Sequence, residues 1–277
     1  MRELRGRVAV VTGAASGIGR ALALELSREG AALALSDVNE AGLAETRRLA
    51  EALGAKVTSE RLDVADSRAV EAHAEHVIAV HGRANLVINN AGVGLGATIA
   101  DMSYDDLAWL FGINFWGVVH GTKAFLPHLK RAGEGHVVNV SSVFGLIAVP
   151  GQGAYNAAKF AVRGFTECLR QELELEGANV SATCVHPGGI KTDIARNARV
   201  ISRPGGPGRE EMNAYFDQLA RTTADAAARK ILRGVKKNAR RVLIGPDAHA
   251  IDALQRLLPT SYQALLVRQA RRAPFPP

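Results

Sequence analysis

Cysteine is nearly absent: the 277 residues contain only Cys168 and Cys184. Neither stands in a CxxC pair or at Cys/His ligand spacing, which argues against a disulfide framework and a structural zinc site, and no metal is expected. Long apolar runs are missing too. Val8 to Val11 is too short for the core of a signal peptide, and no later stretch reaches the roughly 18 residues of a membrane span. A soluble, cytoplasmic chain without membrane insertion is expected. Hydrophobic residues make up 47% of the chain and charged residues 22%, which excludes a disordered polymer. Internal repeats and long linkers are absent as well, so residues 1–277 read as one domain.

Over most of the chain there is also no excess of either charge. The total is 34 Lys+Arg against 27 Asp+Glu, a net of +7. Residues 1–220 hold 22 basic and 24 acidic side chains, whereas residues 221–277 hold 12 and 3. A clustered basic surplus is the footprint of phosphate-backbone binding. Here it is confined to the C-terminal end with no nucleic-acid motif beside it, so no nucleic-acid partner is expected. Arg229, Lys230, Arg233, Lys236, Lys237, Arg240 and Arg241 read as a solvated helix face, with cations near its C-terminal dipole.

What is present is an alternation of short β-branched runs with longer helical patterns. Strands are expected at 7–12, 32–36, 56–62, 85–89, 136–140, 180–185 and 241–244, with apolar residues at three- and four-residue spacing between them, as at Leu22 and Leu26 or Leu107, Leu110 and Phe111. Parallel strands need crossover connections, so seven strands separated by helices predict an α/β fold: a doubly wound parallel sheet with helices on both faces.

The first strand runs into Thr12-Gly13-Ala14-Ala15-Ser16-Gly17-Ile18-Gly19 and a helix follows at once. Glycines there permit a tight turn and close approach of backbone to a pyrophosphate, whose charge meets the helix N-terminus. Asp37 stands 18 residues after Gly19, near the roughly 20 at which a carboxylate accepts ribose hydroxyls. The alternative is an N-cap for the helix beginning near Asn39. Asp63, at the end of the third strand, has the same two readings, as an adenine contact or a cap. An acidic Asp37 repels a 2′-phosphate, and neither Ser16 nor Val38 supplies a cation, so NAD is expected rather than NADP. The fourth strand ends in Asn89-Asn90-Ala91-Gly92, which sets amides and a close-approach glycine at the same edge, or simply forms a strand-terminating turn.

Tyr155 and Lys159 lie four residues apart on a helical pattern and share one face. A tyrosine with a pKa of about 10 is a poor acid–base group at neutral pH, and a nearby ammonium lowers it. Ser142 follows the fifth strand and precedes Tyr155 by 13 residues. Two hydroxyls can then bracket one substrate oxygen.

Together these motifs resemble those of the short-chain dehydrogenase/reductases: TGxxxGIG at 12–19, NNAG at 89–92, Asn114, Ser142 with Tyr155 and Lys159, and His186-Pro187-Gly188. The resemblance implies a Rossmann-like fold and hydride exchange between a secondary alcohol or ketone and a nicotinamide. Tyr155 would move the proton, Lys159 would bond the nicotinamide ribose and lower the Tyr155 pKa, and Ser142 would hold the substrate oxygen. Asn114 would support a water-linked relay through a helix irregularity. The implied cofactor contacts are Gly13, Ser16, Gly17, Ile18 and Gly19 at the first turn, and Asp37, Asp63 and Val64 at the adenosine end. Asn90, Ala91 and Gly92 follow, then Tyr155 and Lys159, then Pro187, Gly188, Ile190 and Thr192. The substrate set is Ser142, Val143, Gln152, Tyr155 and Gly188.

Val93 to Leu95, Val143 to Val149, Ile190, Ile194, Val200, Ile201, Met212, Tyr215 and Phe216 suggest a largely apolar pocket for an apolar small molecule. Lys191, Arg196 and Arg199 are read as solvated. The Pro/Gly-rich stretch through Arg203 to Gly208 suggests a lid at about 189–215, and 248–277 reads as a basic helical extension. Phe160, Val162, Phe165, Cys168, Phe111, Phe115 and Trp116 exceed what one sheet face needs; by resemblance they form a homodimer or tetramer face, the alternative being ordinary core. A catalytically idle cofactor sensor of the same fold and a polyanion binder are the rival classes.

Overall fold

The structure is a computed structural model and describes residues 1–201 and 209–271. Arg203 to Gly208 of the expected lid, the side chains of Met212 and Tyr215, and the end of the C-terminal extension at 272–277 lie outside the described residues. Seven strands form the main sheet: β1 (Val8–Thr12), β2 (Ala32–Asp37), β3 (Val57–Arg61), β4 (Leu86–Asn89), β5 (Gly135–Val140), β6 (Val180–Pro187) and β7 (Arg241–Ile244). Every pairing in it is parallel, in the order β7-β6-β5-β4-β1-β2-β3. The order reverses between β1 and β4. This is the expected doubly wound sheet, and the reversal opens a crevice at the carboxyl ends of the strands.

The helices are α1 (Gly17–Arg28), α2 (Glu40–Ala52), α3 (Ser67–His81), α4 (Tyr104–Phe111), α5 (Gly117–Arg131), α6 (Gly153–Leu175), α7 (Arg209–Leu219), α8 (Ala224–Lys236), α9 (Pro246–Leu257) and α10 (Tyr262–Ala270). A π-helical turn, Gly112–Trp116, joins α4 to α5. Because strand side chains alternate, β1 serves two cores. Ala9 and Val11 pack with Leu22 and Leu26 of α1 and Ile231 and Leu232 of α8. Val8 and Val10 pack with Val77 of α3, Phe125 and Leu129 of α5, and Leu169 and Leu173 of α6. Truncating one of these buried leucines to alanine costs about 2–5 kcal/mol. Among the described residues, no helix is long and apolar enough to cross a membrane.

The basic C-terminal residues are mostly exposed, as expected, but four of them also pair with acids. Arg229 of α8 pairs with Glu25 of α1 at 3.4 Å, and Lys236 pairs with Glu29. Arg240 meets Glu174 at 2.9 Å, and half-buried Arg241 holds Glu167 at 2.8 Å and Asp252 at 2.9 Å. Arg229, Lys236, Arg240 and Arg241 thus meet acids of other elements, while Lys230, Arg233 and Lys237 are exposed. Exposed pairs of this kind contribute about 0–1 kcal/mol each.

Candidate active site

The glycine turn lies at the reversal of the sheet. A Cβ on Gly19 would fall 2.0 Å from the Gly13 carbonyl oxygen, so glycine is required there for the turn to close. Thr192 comes to the same place from β6: its Cγ2 would be 3.0 Å from a Cβ on Gly17. α2, α3, α4 and α8 are capped by Asn39, Asp66, Ser103 and Thr223. α1 differs from these four and resembles α6 and α10, since Ser16 gives it no side-chain cap and its first turn carries no acid. Its uncapped amides and positive dipole end fit an anionic pyrophosphate. A cavity of about 550 Å³ reaches this turn, lined in part by Gly17, Arg20, Lys191, Thr192 and Arg196.

Asp37 and Asp63 are not helix caps. Asn39 caps α2 and Asp66 caps α3, because each stands one residue before its helix. Asp37 accepts the Ala15 amide on Oδ2 and the Asn39 amide on Oδ1, both at 2.9 Å, which ties the tip of β2 to the glycine turn. Asp63 closes an Asx turn onto the Ala65 amide at 2.9 Å and is exposed. Arg20 donates to the Ala15 and Gly42 carbonyls and to the Thr46 hydroxyl. Val64 packs its side chain where a Cβ on Gly117 would stand, and its carbonyl accepts from His120 Nδ1 at 3.0 Å.

The Asn89–Gly92 run is more than a turn. Thr12 Oγ1 accepts the amides of Asn90 and Ala91, each at 3.1 Å, while Asn90 Nδ2 donates to the Thr12 and Gly13 carbonyls. Asn89 Nδ2 donates to Asn139 Oδ1 at 2.8 Å, and Asn139 Nδ2 to Thr166 Oγ1 at 3.0 Å. This buried chain of amides and hydroxyls joins β4, β5 and α6, and sequence reasoning did not anticipate it.

Ser142, Tyr155, Lys159 and Asn114 are brought together. Asn114, fully buried in the π-helical turn, clamps the backbone of Val93 from both sides: Oδ1 accepts its amide at 2.8 Å and Nδ2 donates to its carbonyl at 2.9 Å. A Cβ on Gly92 would lie 3.3 Å from Asn114 Oδ1 and 3.6 Å from Lys159 Nζ. Lys159 Nζ stands 5.5 Å from the centre of the Tyr155 ring. Phe144 meets that ring edge-on at 6.1 Å. The Ser142 carbonyl accepts from His186 Nδ1 at 2.9 Å, which fixes the proton on that nitrogen.

The electrostatics correct one expectation. Burial pushes the Tyr155 phenol up to about 12, with a hydrogen bond to Ser142 opposing it, and burial brings the Lys159 ammonium down to about 8. The Tyr155 shift is upward, so burial outweighs the charge of Lys159. Its Nζ donates instead to the Val140 carbonyl at 3.0 Å, because that carbonyl lies at the end of β5 beside the buried amine. Among the described residues no group of three or more His, Cys, Asp or Glu side chains is placed to hold a metal.

The remaining expected pocket residues divide. Leu95, Val143, Leu146, Ile147 and Ile190 are buried in core, whereas Val93, Ile194, Val200, Ile201 and Phe216 are half-buried. Gln152 is half-buried and bridges to Ala97. The short strand Arg199–Val200 pairs with Leu95–Gly96, and Ile190–Lys191 with Thr222–Thr223, so both ends of the 190–201 segment are tied down. Arg196 and Arg199 are not simply solvated: Arg196 pairs with Asp217 at 2.5 Å, and Arg199 stacks on Trp109 at 3.6 Å beside Asp106. Val162 is fully buried and belongs to the core, while Trp116 and Phe160 are 50% and 39% exposed. Asp247 and Tyr262 carried no signal in the sequence. Asp247 Oδ2 accepts the Gly189 amide, and the Tyr262 hydroxyl, delivered by α10, accepts the Ala148 amide at 3.3 Å.

The model of the short chain dehydrogenase family matches residues 7–200. The putative oxidoreductase SadH of Mycobacterium tuberculosis is 54% identical over 267 residues, covering 96% of each chain. A short chain dehydrogenase/reductase from Burkholderia phymatum, solved in complex with NAD, is 34% identical with a TM-score of 0.84 over 96% of this chain and 97% of that one. An alcohol dehydrogenase from the archaeon Thermococcus sibiricus, complexed with 5-hydroxy-NADP, is 27% identical with a TM-score of 0.69 over 83% and 90%. With its parallel sheet, glycine turn and convergent Ser142, Tyr155 and Lys159, this chain is an oxidoreductase and belongs to the short-chain dehydrogenase family.

Proposed function

We propose that the protein interconverts a secondary alcohol and a ketone on a largely apolar small molecule, with NAD in preference to NADP. The observation that carries this reading is the meeting of Tyr155, Ser142 and Lys159 at the carboxyl edge of the sheet, with Lys159 Nζ 5.5 Å from the Tyr155 ring. The dinucleotide would lie along Gly13–Gly19, Asp37, Asp63, Val64, Asn90–Gly92 and Pro187–Thr192, and its nicotinamide supplies or accepts the hydride. Asp37 favours NAD, since a carboxylate at the ribose repels a 2′-phosphate; the Burkholderia relative binds NAD and the Thermococcus relative a 5-hydroxy-NADP.

The protein's share is positioning and proton transfer. With its phenol held protonated by burial, Tyr155 donates to the carbonyl oxygen in reduction, and Ser142 orients that oxygen. In oxidation Tyr155 must give up the proton. The Ser142 hydrogen bond opposes burial there, and a positive charge on Lys159 would act in the same direction. Asn114 holds the Val93 backbone and supports the relay. The described part of the expected lid, residues 189–201, borders the site in an otherwise single domain, and the exposed Trp116 and Phe160 contribute to a homodimer or tetramer face in a cytoplasmic enzyme.

Tyr155→Phe is expected to keep NADH affinity within about twofold while turnover falls by roughly 10²–10⁴, the usual worth of acid–base catalysis. A panel of alcohols and ketones, followed by NADH and NADPH absorbance alongside a fluorescence titration of cofactor, measures both. Wild-type turnover in that variant on a confirmed substrate defeats the assignment.

A further inference from the structure

The turn Pro187-Gly188-Gly189, where β6 leaves the sheet, is gripped by a side chain from 58 residues further along. Asp247 is the second residue of α9, and its Oδ2 accepts the Gly189 amide at 2.6 Å. The carboxylate lies flat against two glycines. A Cβ on Gly188 would sit 2.1 Å from Oδ2, and one on Gly245 would sit 2.2 Å from Oδ1. The fit therefore requires glycine at both positions and an acceptor of this length between them. Backbone bonds complete the clamp: the Gly188 amide donates to the Ile244 carbonyl at 2.9 Å, and the Thr222 amide donates to the Gly189 carbonyl at 3.2 Å. Three residues beyond Gly189, Thr192 stands against Gly17 of the glycine turn. Whatever fixes Gly189 also sets where Thr192 arrives.

We propose that Asp247 is a positioning residue for the cofactor: it holds the Gly188–Thr192 segment at the height at which that segment and the glycine turn close on the dinucleotide. This rests on the dinucleotide reading above. Removing the carboxylate orphans the Gly189 amide and opens a gap beside Gly188, so the segment relaxes and the cofactor must reorder it on binding.

The experiment compares Asp247→Ala, Asp247→Asn and Asp252→Asn in the full-length chain. Asn at 247 retains an acceptor oxygen at the same reach. Asp252→Asn is a control on the same helix, where Asp252 pairs with Arg241 and Arg256 rather than with the turn. Two readouts apply: NADH affinity by fluorescence titration, and amide hydrogen exchange of residues 187–192 without cofactor. Asp247→Ala is expected to weaken NADH at least tenfold and to speed exchange in that segment. Asp247→Asn is expected to stay within about threefold of wild type. Asp252→Asn is expected to lower Tm while leaving NADH affinity unchanged. Where the alanine variant does not fold, Asp247→Glu, one methylene too long for the glycine gap, carries the same expectation. Wild-type affinity and exchange in Asp247→Ala overturn the inference, as does an equal loss in Asp252→Asn. A wild-type chain that binds no NADH overturns the dinucleotide reading and the cofactor role of Asp247 with it, whatever the exchange arm shows.

Discussion

The carboxyl edge of the sheet is held in two different ways on its two sides. At β1 and β4 the turns lock onto each other through the motif residues themselves: Thr12 takes two amides, Asn90 reaches two carbonyls, and Gly19 sits on Gly13. At β5 and β6 the loops lean on side chains: His186 of β6 holds Ser142, and from further along the chain Asp247 holds Gly189 and Tyr262 meets Ala148. Where two backbones must touch, only glycine fits, and the requirement is visible in the chain. An anchor that reaches across space, as Asp247 and Tyr262 do, is an ordinary aspartate or tyrosine and carries no such mark.

Acid breaks the comparison most strongly. Burial depresses His186 to about 4 and His136 to about 3, whereas the unfolded chain takes up those protons near 6.5. Both imidazoles therefore contribute stability that is complete above pH 6.5 and is lost as the pH falls toward those folded values. At about 1.4 kcal/mol per unit, His186 alone loses about 3 kcal/mol. Denaturant melts between pH 7 and 4 should show the decline, and His186→Asn should make it shallower while the His136 part remains. Hydrogen exchange should open the loop after Ser142 before the glycine turn; the reverse order removes the distinction.

On the other side, Gly19→Ala is expected to weaken NADH binding about a hundredfold, because its Cβ overlaps the Gly13 carbonyl and the backbone must shift. Fluorescence titration checks it, and wild-type affinity in that variant means that the turn is not self-locking. Tyr262→Phe is the mildest change. It removes an acceptor from an amide on exposed Ala148, where water substitutes, and should cost about 1 kcal/mol or less in a urea melt.

Much of the fold was legible because its signals are local. Each of the seven strands falls within two residues of where β-branched runs and turn residues put it, since period-two burial and crossover length act over a few residues. Caps were harder. Asp37 and Asp63 could be read as caps, whereas Asn39 and Asp66 cap the helices, because only the helix start decides which residue sits one position before it. Charge misled in the opposite direction. Arg229, Arg240 and Arg241 read as solvated because their partners Glu25, Glu174, Glu167 and Asp252 lie on other elements. Of the candidate site, the residue types and their order along the chain were readable. The protonation of the site was not, since desolvation depends on what packs over Tyr155 and Lys159.

By itself the sequence determined the alternation of strands and helices, the glycine turn and the placing of Ser142, Tyr155 and Lys159 at loop and helix positions that a parallel sheet gathers at one edge. Periodicity, backbone sterics and helix spacing act between near neighbours and leave their record in order and composition. The tertiary structure alone decided that Lys159 turns to Val140, that Arg229, Arg240 and Arg241 find acids on other elements, and that α9 and α10 steady the two loops beside the site. Those outcomes depend on burial and on contacts between residues far apart in the chain, which no local pattern encodes.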